Sequence, residues 1–101
     1  MQAIISARGL SISKTYKDTL TQRLAKLEPM LPALIKTRAI LSKEKHRRTV
    51  ALTLLTRRRA FRSRETAPDL EAAVDLAVHA LRRQVRETKL RRPRRRAVGL
   101  P

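Results

Sequence analysis

The sequence predicts an α+β fold in a single domain. Its order is β-α-β-β-β-α, a four-stranded mixed sheet with two helices packed on one face. Three observations predict it. Apolar residues recur at helical spacing after Ser13 and again after Thr66, and between Leu34 and Glu65 the period changes to two. The 101 residues are enough for one domain, and 42% apolar residues are enough for a small core.

Gln2 to Ala7 reads as the first strand, β-branched in the middle and closed by Arg8-Gly9. Ser13 is a good N-cap. Tyr16, Leu20, Leu24, Leu27 and Leu31 then form the apolar stripe of a first helix, which Pro29 and Pro32 end near Glu28. Ile35, Thr37, Ala39 and Leu41 alternate with Lys36, Arg38, Ile40 and Ser42, giving a second strand. The polar block Lys43 to Arg48 reads as a turn. Val50, Leu52 and Leu54 make one face of a third strand, and Arg57-Arg58 turns the chain. Arg59 to Glu65 is the fourth strand, with Phe61 and Ser63 on one face. Thr66-Ala67-Pro68-Asp69 resembles a capping box with Thr66 as the cap. Leu70, Ala73, Val74, Ala77, Leu81 and Val85 then stripe a second helix that runs to about Lys89. The right-handed crossover rule makes the first two strands parallel, and the later ones are antiparallel. The expected division is a folded domain over 1–90 and a disordered basic tail over 91–101, where five arginines stand beside Pro93 and Pro101.

Twenty-five basic residues against eight acidic ones give a net charge of +17. The charge is uneven: residues 1–81 carry 16 basic and 7 acidic groups, residues 82–101 carry 9 and 1. Charge of this size, with arginine prominent, points to a polyanion, most directly nucleic acid. Tyr16 and Phe61 are the only aromatic residues, which argues against modules that stack bases on aromatic platforms. On the second helix, His79, Arg82, Arg83, Arg86 and Lys89 fall on the flank and outer face away from the apolar stripe. On the first, Arg23 and Lys26 lie to one side of the stripe, Lys14 and Lys17 to the other. A cationic surface over both helices would match a groove of phosphates.

Other chemistry finds no support. The absence of cysteine removes disulfides, thiolate metal sites and a cysteine nucleophile, and fits a reducing cytoplasm. Two glycines cannot build a phosphate-cradling loop. His46 and His79 stand 33 positions apart and suggest no metal site. Asp69, Glu71 and Asp75 read as charges at a helix start rather than an acid/base pair. No apolar run is long enough to span a bilayer, and Met1 to Ile5 lacks the cationic start of a secretory signal. The expectation is a monomeric, cytoplasmic, non-enzymatic protein with no cofactor, metal, small-molecule substrate or membrane partner.

Four segments carry a resemblance: Ile5 to Ser13, Leu24-Ala25-Lys26-Leu27-Glu28, Leu41 to Val50, and Ala72 to Ala77. In this order they resemble the ribosome hibernation-promoting factor family, which includes the ribosome-associated inhibitor and was formerly called the sigma-factor modulation family. The resemblance spans about residues 1–90 and is to the family's short members. It implies the same β-α-β-β-β-α order. It also implies binding to the small ribosomal subunit and its RNA in the channel for mRNA and tRNA, with translation blocked under stress or in stationary phase. By position it implies RNA contacts at Arg23 and Lys26, at Lys45, His46 and Arg47, and at Arg83, Arg86 and Lys89. His79 stands where family members often have lysine, and Arg82 where an acid is common. The alternative reading is a general double-stranded RNA-binding module acting away from the ribosome.

Overall fold

A computed structural model describes residues 2–98, with side chains as far as Thr88. The chain runs β1 (Gln2–Arg8), α1 (Lys14–Ala25), a 3₁₀ turn (Glu28–Met30), β2 (Leu34–Glu44), β3 (Arg47–Thr56), β4 (Ala60–Ala67) and α2 (Leu70–Val98). The sheet order is β1-β2-β3-β4. β1 and β2 are parallel and the other pairs antiparallel. The α+β class and the element order agree with the reading of the sequence.

Register decides which residues face the helices. Ile5 lies beside Ala39, Ala39 opposite Leu52, and Leu52 opposite Ser63. The Ser63 hydroxyl donates to the Ala77 carbonyl of α2 at 2.9 Å, so this row points into the helix layer. Leu41, Val50, Leu54 and Phe61 share that face and are buried. From α1 come Leu20 and Leu24, with Leu27 just beyond it, and from α2 Ala73, Val74, Ala77, Val78, Leu81 and Val85. Each fully buried leucine contributes about 1.5–3 kcal/mol of transfer free energy. The stripes expected of both helices are therefore the ones that make the core, with Tyr16, Leu31 and Leu70 half-buried at its margin.

Capping sets where the helices begin. Ser13 caps α1, its hydroxyl accepting the Tyr16 N–H at 3.0 Å. The cap of α2 is Asp69, not Thr66: its carboxylate accepts the Ala72 N–H at 2.8 Å. Thr66 belongs to β4, where its hydroxyl meets that of Thr49 at 3.0 Å. Ionised Asp69 also complements the helix dipole, which makes it the stronger cap.

Three further features differ from the expected pattern. The turn between β2 and β3 is only Lys45-His46, with Lys45 at φ 54°; Lys43, Glu44, Arg47 and Arg48 are strand. Such a two-residue turn needs positive φ and lets the ladder run to its ends. A bulge between Leu34 and Lys36 leaves Ile35 without a partner, 47% exposed instead of on the core face. Finally, α2 continues past Lys89 to Val98. Extending a formed helix through arginine, leucine and alanine is far easier than nucleating one, despite the N–H lost at Pro93. The expected tail over 91–101 lies where no side chain is described, and 99–101 lie outside the described residues.

Candidate nucleic-acid interface

The order of elements places the basic side chains at two levels of one domain. Both helices start near the β2–β3 turn and run toward the β3–β4 turn. Gln84 of α2 donates to the Arg62 carbonyl at 2.7 Å, and Arg62 pairs with Thr53. Thr53 lies six residues along β3 from Arg47, so the Arg82–Arg86 turn of α2 is about 20 Å from Lys45, His46 and Arg47. The residues expected to contact RNA thus form two groups rather than one continuous patch.

In the helix group, Arg83 and Arg86 are exposed on the outer face of α2 together with His79. Arg82 sits on the flank, partly covered, and its buried Nε has no hydrogen-bond partner among the described residues. Lys26 is exposed at the C-cap of α1. Lys89 follows one turn after Arg86, its side chain outside the described residues. Arg23 is engaged otherwise: its guanidinium meets the Asp75 carboxylate at 2.8 Å and ties α1 to α2. Both partners are solvent-accessible, so the bridge is worth about 0.2–1 kcal/mol, yet it neutralises the arginine locally. Beneath it, Tyr16 has its hydroxyl pKa raised above 10.0, first by burial and then by the negative charge of Glu71.

In the turn group, Lys45 and His46 are exposed at the tip, and Arg47 begins β3 on the sheet face turned away from the helices. At the other end of β3, Arg57, Arg58 and Arg59 surround a cavity of about 280 Å³ floored by Leu31, Phe61 and Val85. Arg59 lies 5.9 Å above the Phe61 ring, a cation–π contact that also shields the ring from water.

Charge is distributed differently from what helix periodicity suggests. α1 with its C-cap, and α2 to Thr88, hold seven lysines and arginines against four carboxylates. The open sheet face holds six against one, with only Glu44 as its acid. Helical periodicity locates side chains around one helix; it does not reveal which strand residues share a face once the register is set. The signal was present in the alternation of Lys36, Arg38, Arg62 and Arg64 with core positions. Among the described residues, no cluster of three or more His, Asp or Glu could hold a metal ion, and no helix is long and apolar enough to cross a membrane.

Fold and charge together define a small, strongly basic β-α-β-β-β-α domain whose helices cover one sheet face and whose cations line both surfaces. Residues 3–93 match the model of the Sigma 54 modulation protein / S30EA ribosomal protein family, and the chain belongs to that family. It is a family of ribosome-associated factors. Among solved structures, a ribosomal subunit interface protein from Coxiella burnetii has the same fold. Its TM-score is 0.81 at 19% identity, over 89% of this chain and 99% of that one. The N-terminal domain of Protein Y from Thermus thermophilus is similar at 25% identity, with a TM-score of 0.79 over 87% of this chain and 99% of that domain. No curated protein sequence matches the chain.

Proposed function

We propose that this protein is a ribosome-binding translation inhibitor. It occupies the channel for mRNA and tRNA on the small ribosomal subunit and keeps ribosomes idle in stressed or stationary cells. The observation that carries the reading is the family match over residues 3–93, in a chain with a net charge of +17. Capture is electrostatic: lysine and arginine replace the counterions of ribosomal RNA, and their release drives association. Exclusion is steric, because sheet and helices share one core and the domain enters as a rigid body. Lys26, Arg83, Arg86 and Lys89 contact RNA from the helix layer, with His79 and Arg82 beside them, and Lys45, His46 and Arg47 contact it from the turn. Arg23 acts indirectly, holding α1 against Asp75. The protein works in the cytoplasm as a monomer, with no cofactor.

Cosedimentation with purified small subunits tests this. Wild type is expected in the subunit fraction even in excess unrelated duplex RNA. Arg83→Ala, Arg86→Ala and Lys89→Ala together should make the dependence of log affinity on log salt shallower by about 2–2.7. Circular dichroism should stay unchanged, since Arg83 and Arg86 lie off the core. Equal affinity for unrelated duplex would instead favour a general double-stranded RNA-binding module, and unaltered binding by the triple variant would refute the helix contacts.

A further inference from the structure

The face of the sheet opposite the helices is built as a trough. Along its middle runs β3, with Thr49, Ala51 and Thr53 as small side chains. Lys36 and Arg38 stand on β2 to one side, Arg62 and Arg64 on β4 to the other. Register places Arg38 and Arg62 directly across Thr53, and Arg64 across Ala51 from Ile40. The two basic rails are therefore about 9.6 Å apart, two strand spacings, and Arg62 and Arg64 are about 6.7 Å apart along β4.

Little on this face neutralises these charges. Among the described residues the only carboxylate there is Glu44, 3.6 Å from Arg64, in a pair so exposed that it screens weakly. Arg38 and Arg62 meet no carboxylate among the described residues. Holding like charges on both sides of a narrow strip is unfavourable in isolation and favourable once an anion lies between them.

We infer that this trough is a second RNA-binding surface, which seats one sugar–phosphate strand along β3 between the Lys36/Arg38 and Arg62/Arg64 rails. The occupant follows from the geometry. The width suits a single strand of phosphates, and between Arg38 and Arg62/Arg64 the floor of Thr49, Ala51 and Thr53 allows close approach, with exposed Leu55 closing the end beside Lys36. The face carries no aromatic side chain on which a base could stack, so contact is with the backbone and independent of sequence. With helix-layer cations on the other side, the domain is gripped by RNA on two opposed surfaces. The inference rests on RNA being the partner, as proposed above, but not on that RNA being ribosomal.

The test is a salt titration of binding to a plain 20-nucleotide single-stranded RNA, comparing wild type with Arg38→Ala/Arg62→Ala. Both side chains are exposed, and the Arg38→Gln/Arg62→Gln pair serves if the alanine pair melts early. Loss of two contacts should make the slope shallower by about 1.4, which is about 25-fold weaker binding at 0.1 M salt, converging toward wild type near 1 M. Arg38→Lys/Arg62→Lys should retain the wild-type slope. The trough is refuted if the alanine and glutamine pairs keep the wild-type slope. It is equally refuted if they weaken binding only to phosphatidylserine vesicles, or if they change only self-association in sedimentation equilibrium. Should wild type fail to bind small subunits while the trough variants still lose affinity for plain RNA, the ribosomal reading falls and the trough stands.

Discussion

Leu81 and Leu76 lie on the same helix, five residues apart, and their environments are opposite. Leu81 is 0% exposed among Leu52, Leu54 and Val85 in the shared core, whereas Leu76 is 48% exposed. Leu81→Ala removes three carbons from a fully buried site in the core that α2 shares with β3 and β4. Such truncations cost about 2–5 kcal/mol, from lost transfer free energy and the cavity left behind. Taking about 3 kcal/mol, and 4–8 °C per kcal/mol for a domain of this size, the melting temperature should fall by about 12–24 °C. Against a total of roughly 5–15 kcal/mol, this is a large share of the stability. Leu76→Ala removes the same atoms from the outer surface and should change stability by no more than about 0.5 kcal/mol. Thermal melts of the two variants, followed by circular dichroism, read the rotation of α2 directly. A shift of only a degree or two for Leu81→Ala, or equal shifts for both, would refute the packing. It would also remove the reason for placing Arg83 and Arg86 on the outer face.

Other outcomes follow from local structure. Asp69→Ala should cost about 1 kcal/mol by orphaning the Ala72 N–H, and Asp69→Asn should recover most of it; denaturant melts check both. Gly9→Ala should cost about 1–2 kcal/mol because Gly9 has φ 74°, although a Cβ would find room, 3.7 Å from the Lys43 carbonyl; a thermal melt as stable as wild type would contradict this. Tyr16 is the only tyrosine, so phenolate absorbance reports it alone, and it should titrate above 10.0 in the folded protein and near 10 in denaturant. Its raised folded pKa means that the unfolded chain ionises first. Stability from this group is therefore complete below pH 10 and is lost as pH rises through the folded value. Glu71→Gln should lower the folded value part of the way back, which the same absorbance titration measures.

The elements were legible because each is written with one period. Leu20 and Leu24 on one helix, Leu27 in the turn just after it, and Val50, Leu52 and Leu54 on one strand needed no tertiary information to be placed in the core. Boundaries were harder. Thr66 and Asp69 are both capping residue types three positions apart, and only the hydrogen bond to Ala72 distinguishes them. Ile35 alternates correctly with its neighbours, but a bulge, which depends on the partner strand, turns it out. The helix-layer cations were legible from 100° spacing, while the ion pair of Arg23 with Asp75 joins two helices and has no local signature. The basic trough was hidden for the same reason: Arg38 and Arg62 are far apart in sequence and meet across Thr53 only through two registers.

The most direct test of the central claim is competition for the small subunit. Labelled mRNA bound to purified small subunits is followed by fluorescence anisotropy as the protein is added in excess unrelated duplex RNA. Occupancy of the mRNA channel requires release of the mRNA as one protein binds per subunit, with no complex holding both. A stable complex of subunit, mRNA and protein would contradict it.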